Sequence, residues 1–188
     1  MAWLTKDQIS SMGFKKFGSN VLISDKASIY NASQISIGNH VRIDDFCVIS
    51  AGAGGIKIGS YIHVAVFSSI IGAGKITLSN YCNISSKVAI YSSNDDYSGS
   101  YLTNPMIPCE YTNVTHDEVF LAKHVIIGCG SVVLPGVVIE EGVAVGALSL
   151  VNKDCSAFSF YVGIPAKKVK DRNKDLLLIE KKFIKSEE

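Results

Sequence analysis

The sequence predicts an all-β fold: a parallel β-helix of about six coils, folded as a triangular prism, with a short helix before it, a helix after it and one long loop. Three observations carry this. Isoleucine, valine or leucine returns every six residues, at Ile37, Ile43 and Ile49, at Ile58, Val64 and Ile70, at Leu78, Ile84 and Ile90, and then at Leu121, Ile127, Val133, Ile139, Val145 and Val151. Four residues after most of these anchors sits a second small or apolar residue, among them Val41, Cys47, Ile62, Ser68, Cys82, Val88, Val125 and Ser131. The irregular steps, from Ile29 to Ile37, Ile49 to Ile58, Ile70 to Leu78 and Ile90 to Leu121, each follow the third member of a set of three. A period of six matches neither the 3.6 of a helix nor the 2 of an ordinary strand. It matches a solenoid that buries one anchor per short flat face, so three hexads make one turn and the extra residues leave at one corner.

The elements follow in order. Residues 1–20 precede the repeat; Thr5 caps a short helix through Ser11, and Gly13 ends it. The prism occupies residues 21–170. Its irregular corner is built from small residues, Ala51, Gly52, Ala53, Gly54 and Gly55 on one turn and Gly72, Ala73 and Gly74 on the next, which permit tight turns. From the same corner leaves the long insertion, residues 94–118, with Pro105 and Pro108. A long loop on a regular solenoid is where function concentrates. Residues 171–188 carry a C-terminal helix whose stripe of Leu176, Leu177, Ile179 and Phe183 is expected to cap the open end of the solenoid.

Composition narrows the function classes. Charged residues make up 19% and hydrophobic residues 47%, which suits a compact strand-rich domain and not a disordered chain. A formal net charge of +1, with no basic patch interleaved with aromatics, gives no reason to expect a nucleic-acid partner. No apolar stretch is long enough for a membrane span and no secretion signal opens the chain, so a cytoplasmic location is expected. Of the five cysteines, Cys47, Cys82 and Cys155 fall in the small inward position and act as small hydrophobes; no pairing or metal spacing is present. His40, His63, His116 and His124 are not spaced to converge on zinc, so no metal is expected.

The ordered set Ile127-Gly128-Cys129-Gly130-Ser131-Val132-Val133-Leu134-Pro135-Gly136-Val137, Val145-Gly146-Ala147, Val151-Asn152-Lys153-Asp154 and Gly163-Ile164-Pro165-Ala166-Lys167 resembles the hexapeptide-repeat acyltransferases. Within them it is similar to the maltose and galactoside acetyltransferase group. It is more similar to the sugar acyltransferases of polysaccharide pathways that act on nucleotide-linked amino sugars of the 4-amino-4,6-dideoxyglucose type. The resemblance implies a left-handed coil, a homotrimer with sites between neighbouring prisms, and acetyl-CoA as co-substrate. It implies that Gly128, Gly146 and Ala147 let the pantetheine arm lie against backbone and that Lys153 and Lys167 meet the CoA phosphates. The activity expected is N-acetylation of a nucleotide-linked amino sugar in surface polysaccharide synthesis, with O-acetylation of a sugar or polysaccharide unit as the alternative.

Acyl transfer needs a base for the nucleophile, a donor for the oxyanion and both substrates held in line. The resembling enzymes carry a catalytic histidine on the long loop. Here Asp95, or its neighbour Asn94, stands at that position, with Asp96, Tyr97 and His116 as acceptor-binding candidates. His63 is the best remaining base, because Ile62 and Val64 take the inward positions and the imidazole points out. Two mechanisms follow: His63 takes the proton, oriented by Asp95 or Asp96, or Asp95 takes it from an amine. His40 and His124 read as solvated corner residues.

Overall fold

A computed structural model describes residues 2–187. Helix α1, Lys6–Ser11, opens with the expected Thr5 cap: Thr5 Oγ1 accepts from the Gln8 backbone, and the Gln8 side chain accepts from the Thr5 backbone. The chain then winds as a left-handed parallel β-helix of three faces. The first face stacks Lys16–Phe17, Ile35–Ile37, Ile56–Ile58, Ile76–Leu78, Val119–Leu121 and Val138–Ile139. The second stacks Val21–Ile23, Val41–Ile43, Ile62–Val64, Asn83–Ile84, Ile126–Ile127, Ala144–Val145 and Ser159–Val162. The third stacks Ser28–Tyr30, Val48–Ala51, Ser69–Gly72, Ala89–Tyr91, Val132–Val133 and Leu150–Val151. Six coils are therefore complete, and Ser159–Val162 begins a seventh on the second face.

The core is the periodic residues themselves. Every anchor from Ile37 to Val151, and every fourth-position residue from Val41 to Ser149 except Ala53, Gly74 and Asn94 at the irregular corner, is at most 2% exposed. The serines among them are satisfied inside: Ser68 Oγ donates to the Ser85 carbonyl at 2.9 Å and Ser131 Oγ to that of Gly146 at 2.9 Å. Cys47, Cys82 and Cys155 are buried as expected, and burial pushes the Cys82 thiol up to about 12. The insertion leaves the third corner, between the third and first faces, where Ser93–Asn94 pairs antiparallel with Thr115–His116 to root a projecting arm.

The first corner, between the first and second faces, is where sequence reading and structure part. His40, Tyr61, Tyr81 and His124 all adopt left-handed backbone there, with φ between 55° and 64°. Their rings stack in consecutive coils at 4.7, 5.2 and 4.9 Å between centroids. Coils sit about 4.8 Å apart, so in-register rings must stack, and this offsets part of the backbone strain. His40 and His124 are thus ladder members and not solvated corners.

Helix α2, Leu176–Glu187, packs along this ladder and does not cap the open end. It starts later than the sequence suggests, because Lys167–Asp171 forms an antiparallel strand on Ser159–Val162. Its docked stripe is Leu176, Leu177, Glu180 and Phe183, while Ile179 is exposed. Phe183 meets Tyr61 edge-on at 5.1 Å. Glu180 accepts from Lys123 Nζ at 2.6 Å and from His124 Nε2 at 2.9 Å. Burial pushes the Glu180 carboxyl up, but the hydrogen bonds and charges of Lys123 and His124 outweigh it and hold the carboxyl below its usual range. The docking term is therefore complete above pH about 4.5 and is lost as pH falls through the lower folded value. Glu180→Gln is expected to weaken docking by roughly 1–2 kcal/mol, since the Lys123 side chain is 42% exposed and its ion pair is weakened by screening. Hydrogen exchange would read this as faster exchange in α2 with the coils unchanged.

Candidate active site

His63 lies at the centre of the second face, flanked in register by Arg42 on one coil and Asn83 on the next. Its orientation follows from the pleat: Ile62 and Val64 are 2% and 0% exposed, so the imidazole between them faces out. Its partner is Asp44, not a loop acid. His63 Nε2 stands 2.8 Å from Asp44 Oδ2, and Arg42 Nε donates to Asp44 Oδ1 at 2.7 Å. Trp3 covers Arg42, with the guanidinium 5.3 Å from the ring centroid. Asp44 is 4% exposed, and no other carboxylate, imidazole, lysine or arginine among the described residues is so buried. Burial pushes its carboxyl up, yet the hydrogen bonds from Arg42 and His63, with their charges, hold it below the usual carboxylate range. It is thus ionised at neutral pH and accepts from both neighbours. The other imidazole nitrogen, Nδ1, has no protein partner among the described residues.

Asp44 is not among the residues that the sequence singled out, because it meets His63 only when the coils are laid in register. The signal was present in the spacing: a coil is about 20 residues, so Asp44 and His63 are neighbours on adjacent coils.

The third corner gathers the other group. Across the root of the arm Ser93 pairs with His116 and Asn94 with Thr115, and the His116 Nδ1 lies 2.8 Å from Ser93 Oγ. Asp95 is exposed and has no side-chain partner among the described residues. Asp96 shapes the arm instead, accepting from Ser98 Oγ at 2.8 Å and from the Gly99 backbone at 3.2 Å; the Ser98 bond holds its carboxyl low. Tyr97 is 87% exposed and free to contact another molecule.

Gly128, Gly146 and Ala147 lie at the second corner, between the second and third faces, on consecutive coils, with Lys167 next to them because it pairs with Val162. Lys153 follows Leu150–Val151 and lies at the third corner, away from these four. The two glycines also have a packing role. A Cβ on Gly128 would stand 2.5 Å from the Ala147 backbone nitrogen, and one on Gly146 would stand 2.6 Å from Val162 Cγ1. No three His, Cys, Asp or Glu residues among those described are grouped to hold a metal ion, and no described helix is long and apolar enough to cross a membrane.

The candidate residues thus form two sets on opposite sides of the prism. His63, Arg42 and Asp44 lie on the second face; Asn94, Asp95 and His116 lie at the corner opposite that face. One chain does not bring them together.

Fold and site define a hexapeptide-repeat acyltransferase. No family model matches the chain. It is 62% identical over 183 residues to dTDP-4-amino-4,6-dideoxy-D-glucose acyltransferase from Escherichia coli, covering 97% of this chain and 95% of that protein. It is 30% identical over 170 residues to the putative lipopolysaccharide biosynthesis O-acetyl transferase WbbJ of Escherichia coli, covering 85% and 80%. The crystal structure of AntD, an N-acyltransferase from Bacillus cereus in complex with dTDP and 3-hydroxybutyryl-CoA, superimposes with a TM-score of 0.94 at 45% identity, covering 98% of this chain and 97% of AntD. The chain belongs to the family of dTDP-4-amino-4,6-dideoxyglucose acyltransferases.

Proposed function

We propose that this acyltransferase moves the acyl group of an acyl-CoA, acetyl-CoA in the first instance, to the 4-amino group of a dTDP-4-amino-4,6-dideoxyhexose. The observation that carries this is the 62% identity along 97% of the chain. AntD, an N-acyltransferase with dTDP and an acyl-CoA bound, supports the pairing of a sugar nucleotide with a thioester. The product serves surface polysaccharide synthesis in the cytoplasm.

His63 Nδ1 takes the proton as the neutral amine attacks the thioester carbonyl. That attack forms the C–N bond and a tetrahedral oxyanion, which then collapses, the C–S bond breaks, and the proton passes to the departing CoA thiolate. An amine needs less help from a base than a sugar hydroxyl does, which suits a site where Asp95 stands at the loop position of the family's histidine. Asn94, Asp95 and His116 bind the acceptor, and Asp95 holds the amine. Gly128, Gly146, Ala147 and Lys167 flank the pantetheine arm, and Lys153 contacts a CoA phosphate.

The separation of the two residue sets supports a homotrimer. If the third corner of one copy meets the second face of the next, the contact joins unlike surfaces, and a rotation that closes after three copies makes a ring. The third face, between these surfaces, carries outward Val48, Ile71, Val132 and Leu150, each only partly exposed, which suits packing about the axis.

The test is CoA release with acetyl-CoA and three acceptors: the dTDP-4-amino sugar, its 4-hydroxy counterpart and a simple galactoside. The amino sugar is expected to react at least about 100-fold faster than either hydroxyl acceptor. Comparable or better turnover of a hydroxyl acceptor would replace N-acylation with the O-acetylation that the likeness to WbbJ favours.

A further inference from the structure

We infer that Asp44 is a positioning residue that fixes which nitrogen of His63 carries the proton, holding the ring as its Nε2–H form so that Nδ1 offers a lone pair to the acceptor. This rests on the reading of His63 as the base. Asp44 comes from the neighbouring coil and is buried, so its carboxylate has little freedom to turn away. Both of its oxygens are engaged. Arg42 Nε can only donate, and it takes Oδ1 at 2.7 Å; Oδ2 is left for His63 Nε2 at 2.8 Å. An ionised carboxylate can only accept, so Nε2 must donate. Trp3 over the Arg42 guanidinium restrains the other side of the clamp. A buried acid of this kind carries a desolvation cost that a merely structural corner would avoid, because the neighbouring corner positions of the coils are filled without one.

The same geometry gives a sharp consequence for Asp44→Asn. The amide keeps its oxygen toward Arg42, because Arg42 has no acceptor. Its NH2 then faces His63 Nε2, which must accept, and the proton of the neutral ring moves to Nδ1. The lone pair meant for the amine is lost, while shape and volume are nearly kept.

The experiment is nitrogen-15 NMR of histidine-labelled enzyme at a pH where the ring is neutral, with kinetics on the same samples. Wild type is expected to show His63 protonated at Nε2, and Asp44→Asn to show it protonated at Nδ1. In that variant kcat is expected to fall about 100-fold or more, with KM for the sugar nucleotide within about threefold of wild type. Wild-type His63 protonated at Nδ1 would overturn the inference without any variant being needed. So would an Asp44→Asn enzyme whose His63 signal does not switch, or one that switches and stays fully active while His63→Gln is dead. If both variants stay fully active, the reading of His63 as base has failed, and the role of Asp44 falls with it.

Discussion

His63→Gln is expected to lower kcat by roughly 10²–10⁴-fold, the usual contribution of a positioned general base, with binding of acyl-CoA unchanged. The side chain keeps a polar tip of similar reach, and Ile62 and Val64 stay in the core, so the coil is not disturbed. The variant should therefore melt with wild type and still form the assembly. Steady-state rates against the sugar nucleotide, with a thermal melt on the same sample, separate the chemical loss from misfolding. A kcat within a few-fold of wild type would leave proton removal to Asp95 or to the departing thiolate.

The second large effect is structural. Gly128→Ala is expected to destabilise the fold by about 3 kcal/mol, near the upper end for overpacking, and to lower the melting midpoint by roughly 6–12 °C. The new Cβ would meet the Ala147 nitrogen at 2.5 Å and the Gly146 carbonyl carbon at 2.6 Å, both backbone atoms of the next coil that have no rotamer to yield. If Gly128 serves the approach of CoA and nothing else, the outcome is different: the melt is unchanged and KM for acyl-CoA rises. Calorimetry and a KM measurement on one preparation decide between them.

How much of this was legible in the chain depends on direction. The period of six reports which residues point inward, and the anchors from Ile37 to Val151 are buried where it puts them. The irregular steps report the corner that carries the insertion, and Ser93–Asn94 leaves from it. What points outward obeys a different rule. Outward neighbours are residues one coil apart, and the coil length shifts with each irregular corner. Asp44 therefore meets His63 across 19 positions, while Lys123 meets Glu180 across 57. The ladder of His40, Tyr61, Tyr81 and His124 was open to inspection, since each stands three residues after an anchor, but it becomes visible only when the coils are laid in register. The stripe on α2 announced that one side of the helix would be buried; it held no information on whether a corner or an open end would bury it. Glu180 inside that stripe marks a basic partner, and the corner supplies Lys123 and His124.

The claim that matters most is that one working site takes His63 from one copy and Asp95 from the next. Co-assembly of His63→Gln and Asp95→Asn chains, each inactive alone, tests it directly. In a randomly mixed ring, a site draws the intact His63 from one parent and the intact Asp95 from the other in about one case in four. The randomly co-assembled population should then regain about a quarter of wild-type activity, while each parent alone stays inactive. Mixed trimers as inactive as their parents would contradict the account, because they would mean that both residues act within one chain.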